Sequence, residues 1–255
     1  MPAPLDEIVS YLNTLLDIEK IKDSSCNGLQ VQGVKEVRRV GCAVDACMAV
    51  YRKAAAKNCQ MLVVHHGLIW TGLTSISGTT RDQVQFLIKN GINLYTAHLP
   101  LDLHPVLGNN IMLAKALNLS EVKPFGKYHG NSIGFQGILP KPCTIAELGS
   151  ACNKKLGAGT EKCSMLAFGK AKIRTVAIVS GGGSDAIPEA IDKKLDCFIT
   201  GEPNHWNHHT ALEGGLNVLY LGHYRSETPG VKAVGEDLKR KFDVETVFID
   251  EPTLV

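Results

Sequence analysis

Residues 38–67, RRVGCAVDACMAVYRKAAAKNCQMLVVHHG, decide the fold class. RRVGCAV reads as a strand, ACMAVYRKAAAKN as a helix and QMLVVHHG as a second strand, and RDQVQFLIKNG and INLYTAH continue the alternation as far as His98. Strand and helix taking turns in this way is the pattern of a mainly parallel sheet with helices on its faces, an α/β fold. The same order recurs downstream as IRTVAIVSGG, DAIPEAIDKKL, DCFITGE, a His-rich helical run to Glu213 and LNVLYLGH. Val37–His66 and Ile173–Glu202 match without gaps at an offset of 136 residues (173 − 37). After a longer loop in the first half, the two halves realign at NLYTAH and VLYLGH, where the offset is 125 (223 − 98). Two similar α/β lobes related by an internal repeat are therefore expected.

Between the halves, residues 125–172 read as a small β-α-β insertion or lid. NSIGFQGIL and KCSMLAF are strand-like, and Thr144-Ile-Ala-Glu147 is a capping box that opens a helix reaching about Lys155. The Pro/Gly-rich flanks KPFGKYHG and LPKP suggest boundaries, so the expected division is 1–124, 125–172 and 173–255.

Composition narrows the function classes. The 255 residues suffice to bury a core without disulfide or metal staples. With 44% apolar and 20% charged residues, 25 Gly and 11 Pro, the chain is neither disordered, collagen-like nor a coiled coil. Twenty-seven basic against 25 acidic side chains leave a formal charge of +2, which argues against a nucleic-acid or membrane surface. The start, MPAPLDEIVSYLNTLL, is acidic where a secretory signal is basic and reads as an amphipathic helix. No run approaches the roughly 18 to 20 apolar residues of a membrane span. Eight cysteines fall in apolar runs such as VGCAVDAC and LDCFIT, and no C-x-x-C occurs. Free buried thiols in a cytoplasmic protein are expected, without a zinc ribbon or redox motif.

Nine histidines carry the chemical question. His65 and His66 sit at the end of an apolar strand, closed by Gly67. Neighbours in a regular strand point to opposite faces, so both reach one site only where the strand ends. Imidazole pairs there suit Zn, Fe, Co, Ni or Cu. His98 and Asp102 follow the next strand. Pro100 between them argues for an irregular turn, in which Asp102 is a candidate ligand and His98 a ligand or a group orienting one. His104 stands beside them. His223 and Glu227 form the matching H-x-x-x-carboxylate pair, with Thr228 and Pro229 resembling the N-cap and first turn of a helix that begins just after Glu227. Both pairs lie beyond the carboxyl end of a strand, where open α/β sheets bind ligands.

His65, His66, Asp102, His223 and Glu227 are thus the metal candidates, with His98 and Glu202 as candidate proton-transfer groups. Five ligands exceed the three of one open catalytic zinc and suit two ions sharing a carboxylate. Gly181-Gly182-Gly183-Ser184-Asp185-Ala186 meets the loose form G-x-G-x-x-A. It reads better as a tight strand-to-helix turn, one that can touch a phosphate, than as a dinucleotide fingerprint. His205, His208 and His209 have helical spacing and suit a solvated helix face as well as a site, and His129 is uninformative.

These residues carry a family resemblance. NGLQVQG at 27–33, VVHHGLIWTG at 63–72, NLYTAHLPLDLHPVLGNN at 93–110, VSGGGSD at 179–185, FITGE at 198–202 and GHYRSE at 222–227 span nearly the whole chain in order. The chain resembles the GTP cyclohydrolase 1 type 2 homologues, also called the NGG-interacting-factor-like proteins. The resemblance implies two similar lobes with a dinuclear metal centre in a cleft between them, and commonly a hexamer. Its ligands fall on His65, His66, Asp102, His223 and Glu227, the last as the bridge, and two divalent ions (Zn, Fe or Mn) are implied. SSCNGLQ lacks the acidic residue that many relatives place before the Asn, and PNHWNHH after Glu202 departs from the family pattern. The activity expected is metal-dependent hydrolysis of a small molecule such as a nucleotide. The alternative is a non-catalytic metal-binding scaffold or regulatory protein that engages protein or nucleic acid.

Overall fold

The computed structural model describes residues 2–71, 75–156 and 163–253. They form two compact units, Met1–His104 with Gly230–Glu251, and Pro105–Pro229 with Pro252–Val255. In chain order the first unit contains β1 (Ala3–Pro4), α1 (Leu5–Leu16), β2 (Gly28–Val31), β3 (Glu36–Val37), β4 (Arg39–Asp45), α2 (Met48–Ala56), β5 (Met61–His66), α3 (Gly78–Lys89), β6 (Asn93–Thr96) and the single turn α4 (Leu99–Asp102). The second continues with α5 (Asn109–Ala116), β7 (Ser120–Tyr128), β8 (Asn131–Cys143), α6 (Ile145–Leu156), β9 (Ser164–Ala167), β10 (Ile173–Val179), a 3-10 turn (Gly183–Ala186), α7 (Ile187–Asp192), β11 (Cys197–Thr200), α8 (Asn207–Glu213) and β12 (Asn217–Tyr220). Helix α9 (His223–Phe242) starts in the second unit, and its residues from Gly230 on belong to the first, as does β13 (Glu245–Phe248).

The first unit holds a five-stranded sheet in the order β13-β4-β5-β6-β2, parallel except for the antiparallel edge strand β2. Its central strands are buried on both faces, which explains their unbroken apolar runs. Leu62 and Val64 pack with Val50, Tyr51, Ala54 and Leu87 from the covering helices α2 and α3. Helix α1 buries Leu5, Ile8, Leu12 and Leu16, a spacing of three and four that makes one apolar stripe. Each such side chain removed from water contributes roughly 1.5–3 kcal/mol before entropy is subtracted.

The second unit holds a six-stranded sheet, β7-β8-β10-β11-β12-β9, with β10, β11 and β12 parallel. One core joins Ile178, Ile199 and Leu219 to Leu113, Leu148 and Cys152 of α5 and α6. The other joins Ala177, Phe198 and Val218 to Ile187, Ala190 and Ala211 of α7 and α8.

The internal repeat reaches individual hydrogen bonds. Val40 pairs with Met61 and Val176 with Cys197, so the strand register repeats the 136-residue offset. Buried Asn93 accepts the Gly33 N–H and donates to the Val34 and Gln60 carbonyls. Buried Asn217 accepts the Gly169 N–H and donates to the Lys170 and Asp196 carbonyls. Gln60 in turn accepts the N–H groups of Arg38 and Arg39, and Asp196 those of Arg174 and Thr175. Every one of these partners except the Asn itself repeats at 136. The Asn residues lie 124 apart (217 − 93), so the last strands align one residue away from the 125 expected from their final histidines. One additional residue after β12, Gly222, restores 125 at His98 and His223.

The division into lobes also differs from the sequence expectation. β8, α6 and β9 form as read, and Thr144 and Glu147 make the reciprocal capping box. Their pairing does not set them apart. β9 lies antiparallel beside β12 as β2 does beside β6, with the same 136 offset (164 − 28), and β8 pairs with β10. KPFGKYHG and LPKP lie mostly within β7 and β8 instead of in linkers. β7 is an edge strand, and Pro140 and Pro142 in β8 are at exposed or half-exposed ends, so proline does not interrupt the sheet there.

Candidate metal centre

In the first unit the carboxyl end of β5 delivers His65 and His66, and the segment after β6 delivers His98. One ring nitrogen from each lies within 4.8 Å of the others. Each imidazole is also fixed through Nδ1. His65, fully buried, bonds the Ala97 carbonyl at 3.0 Å. His66 bonds Asp45 Oδ1 at 2.8 Å, and His98 bonds Asp23 Oδ1 at 2.9 Å. A carbonyl oxygen only accepts, and an ionised carboxylate only accepts, so Nδ1 carries the proton and Nε2 presents a lone pair. This oxygen-to-imidazole support is the arrangement that orients metal-ligating histidines. His65 Nε2 faces Asp102 Oδ2 at 3.5 Å. A lone pair opposite a carboxylate is repulsive until a cation stands between them, so the donor set fits a divalent metal.

Pro100 does not prevent a helix here. His98 caps α4, with Pro100 in its first turn, where a missing N–H costs nothing because no intrahelical acceptor waits for it. The N–H of Asp102 bonds the His98 carbonyl, so the pair spans one helical turn instead of the irregular turn expected. Asp23 organises this end. It receives N–H bonds from Ser25 and Leu99 and a side-chain bond from Asn27, whose own Oδ1 accepts the His98 N–H. Burial disfavours its charge, yet the bonds from His98, Asn27 and Ser25 outweigh this and hold its carboxyl well below the usual range. Gln30 grips the turn after His66, accepting the Leu68 and Ile69 N–H groups and donating to the Cys26 and Ile69 carbonyls. A Cβ at Gly67 would collide with Gln30 and Thr96, so only glycine lets the chain pass there. The Trp70 ring lies 5.0 Å from that of His98.

In the second unit His223 opens α9 and Glu227 lies one turn on, with Nε2 and Oε1 3.2 Å apart. The helix expected to begin at Thr228–Pro229 begins five residues earlier, and Pro229 lies inside it. Pro229 brings no N–H for the Arg225 carbonyl four residues back, and the Thr228 hydroxyl donates to that carbonyl instead. Glu202, at the end of β11, meets His223 Nδ1 at 3.0 Å. Burial opposes a charged His223, but Glu227 and Glu202 overcome it and raise its pKa to about 9. His223 therefore holds a proton at pH 7, between the two carboxylates.

The repeat explains the triple glycine. Asp45, which supports His66, corresponds to Gly181 (181 − 45 = 136). Gly181 has φ +60°, and a Cβ there would overlap Glu227 Oε1 and lie 3.1 Å from His223 Nε2. Where the first half places a carboxylate, the second leaves room for one from α9. The Gly181 N–H bonds Ser226 Oγ, and Ser184 Oγ bonds the Glu202 carbonyl, so this turn is packed against the site's own residues.

The structure thus groups His65, His66, His98 and Asp102 in one unit, and His223, Glu227 and Glu202 in the other. His104 Nε2 bonds the Leu15 carbonyl, which ties the chain after α4 to α1 and leaves His104 outside the candidate ligand groups. His205, His208 and His209 are also outside them. Asp23 and Asp45 were missed from the sequence. Asp23 is 75 residues from His98, and no spacing rule links them. The repeat could have drawn attention to Asp45, which precedes His66 by 21 residues as Gly181 precedes Glu202.

A sequence model described as Duf34/NIF3 (NGG1p interacting factor 3) matches residues 3–253. An Archaeoglobus fulgidus protein named GTP cyclohydrolase 1 type 2 homolog is 45% identical over 249 residues, covering 98% of this chain and 98% of its own. A Pyrococcus horikoshii protein of the same name is 45% identical over 248 residues, covering 97% and 98%. Among solved structures, a protein titled ybgI, of unknown function, matches with TM-score 0.92 at 33% identity, covering 99% of this chain and 100% of its own. A Thermus thermophilus protein matches with TM-score 0.91 at 38% identity, with the same coverage.

Proposed function

This chain belongs to the Duf34/NIF3 (NGG1p interacting factor 3) family, and from that premise we propose that it is a dinuclear metal-dependent hydrolase acting on a nucleotide or related small molecule. His65, His66, Asp102, His223 and Glu227 would hold the two ions, Glu227 being the carboxylate they would share. The observation that carries the metal reading is the donor set in the first unit. Three imidazoles have Nδ1 committed to oxygen acceptors and a ring nitrogen each within 4.8 Å of the others.

Two bound divalent ions supply Lewis acidity and an activated water at neutral pH. The chain's own residues do the rest. Asp45 and Asp23 lock the tautomers of His66 and His98. Asp23 and the paired His98 form the proton-handling dyad of the first unit, and Glu202 orients His223 through Nδ1. The relatives' shared name, GTP cyclohydrolase 1 type 2 homolog, supports a purine nucleotide as the first substrate class to examine. Its mixed imidazole and carboxylate ligands suit Zn, Fe or Mn. A homohexamer and a cytoplasmic setting belong to the same proposal. Among the described residues no helix is long and apolar enough to cross a membrane.

The test is elemental analysis of the purified protein beside His66→Ala and Glu227→Ala, followed by a hydrolysis screen of nucleotides and phosphoesters with each metal restored. Two ions per chain in the parent protein, loss of metal in both variants and metal-dependent turnover are expected. Two stoichiometric ions retained in both variants would overturn the ligand set.

A further inference from the structure

Within the second unit, a cavity of about 420 Å³ opens beside α8 and the residues leading into it. Leu166 of β9 and Pro203 give it apolar walls, and the Tyr220 ring and the imidazoles of His205, His208 and His209 complete them. This volume falls in the range of small-molecule sites, which combine mostly apolar walls with a few polar groups.

The polar side chains of the lining are solvent-facing and available to a ligand. The Tyr220 ring is largely buried, while its hydroxyl makes no hydrogen bond to the described protein and is open to solvent at the cavity. Tyr95 and Tyr11, by contrast, donate to Asn13 and Asp237. The side chains of Asn204, His205, His208 and His209 are likewise without a protein hydrogen bond among the described residues, whereas His65, His66, His98, His104 and His223 are all engaged. Among the described residues no lysine, arginine or carboxylate lines the cavity. Flat walls with neutral donors and acceptors match a planar, uncharged ring with a polar edge, and they offer a phosphate no fixed positive charge.

We propose that this cavity is a subsite for the heteroaromatic base of a purine nucleoside or nucleotide. The base lies among Tyr220, the three imidazoles and Leu166, and the Tyr220 hydroxyl and Asn204 amide bond its polar edge. The chain connects this subsite to the candidate chemistry within the same unit. Pro203 directly follows Glu202, and Tyr220 precedes His223 by three residues, so both sets of groups leave the carboxyl ends of β11 and β12. The assignment rests on the reading of the protein as one that handles a nucleotide-class molecule, and it deepens that reading by naming the group that is gripped.

Calorimetric titration of the full chain with guanosine, and separately with ribose 5-phosphate, tests it without requiring turnover. Guanosine should bind both the metal-loaded and the metal-stripped protein, and ribose 5-phosphate should bind the stripped protein at least tenfold more weakly. Tyr220→Phe, which keeps the ring, and Asn204→Ala should each weaken guanosine about two- to tenfold, as expected for one hydrogen bond. His205→Ala and His209→Ala, both on exposed positions, should weaken it without changing metal content. Absent guanosine binding, equal binding of the two probes, or affinity indifferent to all four substitutions would overturn the subsite. A metal-free parent protein that still bound guanosine in this way would instead overturn the dinuclear reading and leave the subsite standing.

Discussion

Replacing Gly181 by alanine should damage the second half of the candidate metal centre without touching a ligand. Gly181 has φ +60°, a conformation that costs an L-residue about 1–2 kcal/mol. The new Cβ would also overlap Glu227 Oε1 and sit 3.1 Å from His223 Nε2. Ordinary contact begins near 3.4 Å, so the carboxylate must retreat by about 1 Å, against a metal–ligand tolerance of about 0.2 Å. Glu227 is 3% exposed and anchored on α9, so it has little room to move aside. Urea unfolding of the metal-free Gly181→Ala protein should show a loss of about 1–3 kcal/mol, the backbone cost plus local strain. Zinc titration should show an affinity loss of about 100-fold or more, at the upper end of what support residues cost and consistent with a displaced ligand. Gly182→Ala is the control, because its Cβ would meet Glu202 at 3.4 Å and its φ is −78°. A folded Gly181→Ala protein that bound two zinc ions with the parent affinity would refute the reasoning, because Glu227 could then not be a ligand in the position described.

Asn93→Ala and Asn217→Ala should destabilise by similar amounts, about 1–3 kcal/mol each, since each leaves one N–H and two carbonyls, most of them part-buried, without their partner; urea unfolding of both variants measures this, and a tenfold disparity in their equilibrium effects would deny the equivalence. Asp196 has a lowered pKa, because its bonds to Lys170, Thr175 and Arg174 outweigh the burial that opposes its charge. Its folded pKa lies below the unfolded value, so its contribution is complete above about pH 4 and disappears as pH falls through the folded pKa. Asp196→Asn should therefore lower stability at pH 7 and flatten the acid slope, whereas Gln60→Ala, at the neutral counterpart, should lower stability without changing that slope; parallel acid curves for Asp196→Asn and the parent would contradict this. Asp23→Asn should lower metal-dependent turnover about 10- to 100-fold by releasing the His98 tautomer while leaving metal content unchanged, and unchanged turnover would remove the His98–Asp23 pair from the proposed chemistry.

Local pattern was enough for much of the fold. The continuous apolar runs around Val40–Val44 and Met61–Val64 can only be strands buried on two faces, and the 136-residue offset survived into the strand register. His65 and His66 were legible because a strand that ends at Gly67 must release them together. Helix starts were less legible. Pro100 read as a breaker yet lies in a first turn, and Pro229 read as a first-turn residue yet lies inside α9, its missing N–H replaced by the Thr228 hydroxyl.

What the sequence by itself determined was the alternation of elements, the repeat and the residue types collected at strand ends, because these depend on neighbours within a few positions. Only the tertiary structure decided which oxygen holds which imidazole. Asp45 reaches His66 and Glu202 reaches His223 because parallel strands, returning through helices, bring their carboxyl ends side by side, and Asp23 reaches His98 because the antiparallel β2 brings the segment before it to the carboxyl end of β6. The same return decided that Gly181 faces Glu227, so that an absent side chain in one half serves the purpose of a carboxylate in the other. Such pairings bridge 21 to 75 residues of chain, and a local period of two or 3.6 carries no record of them.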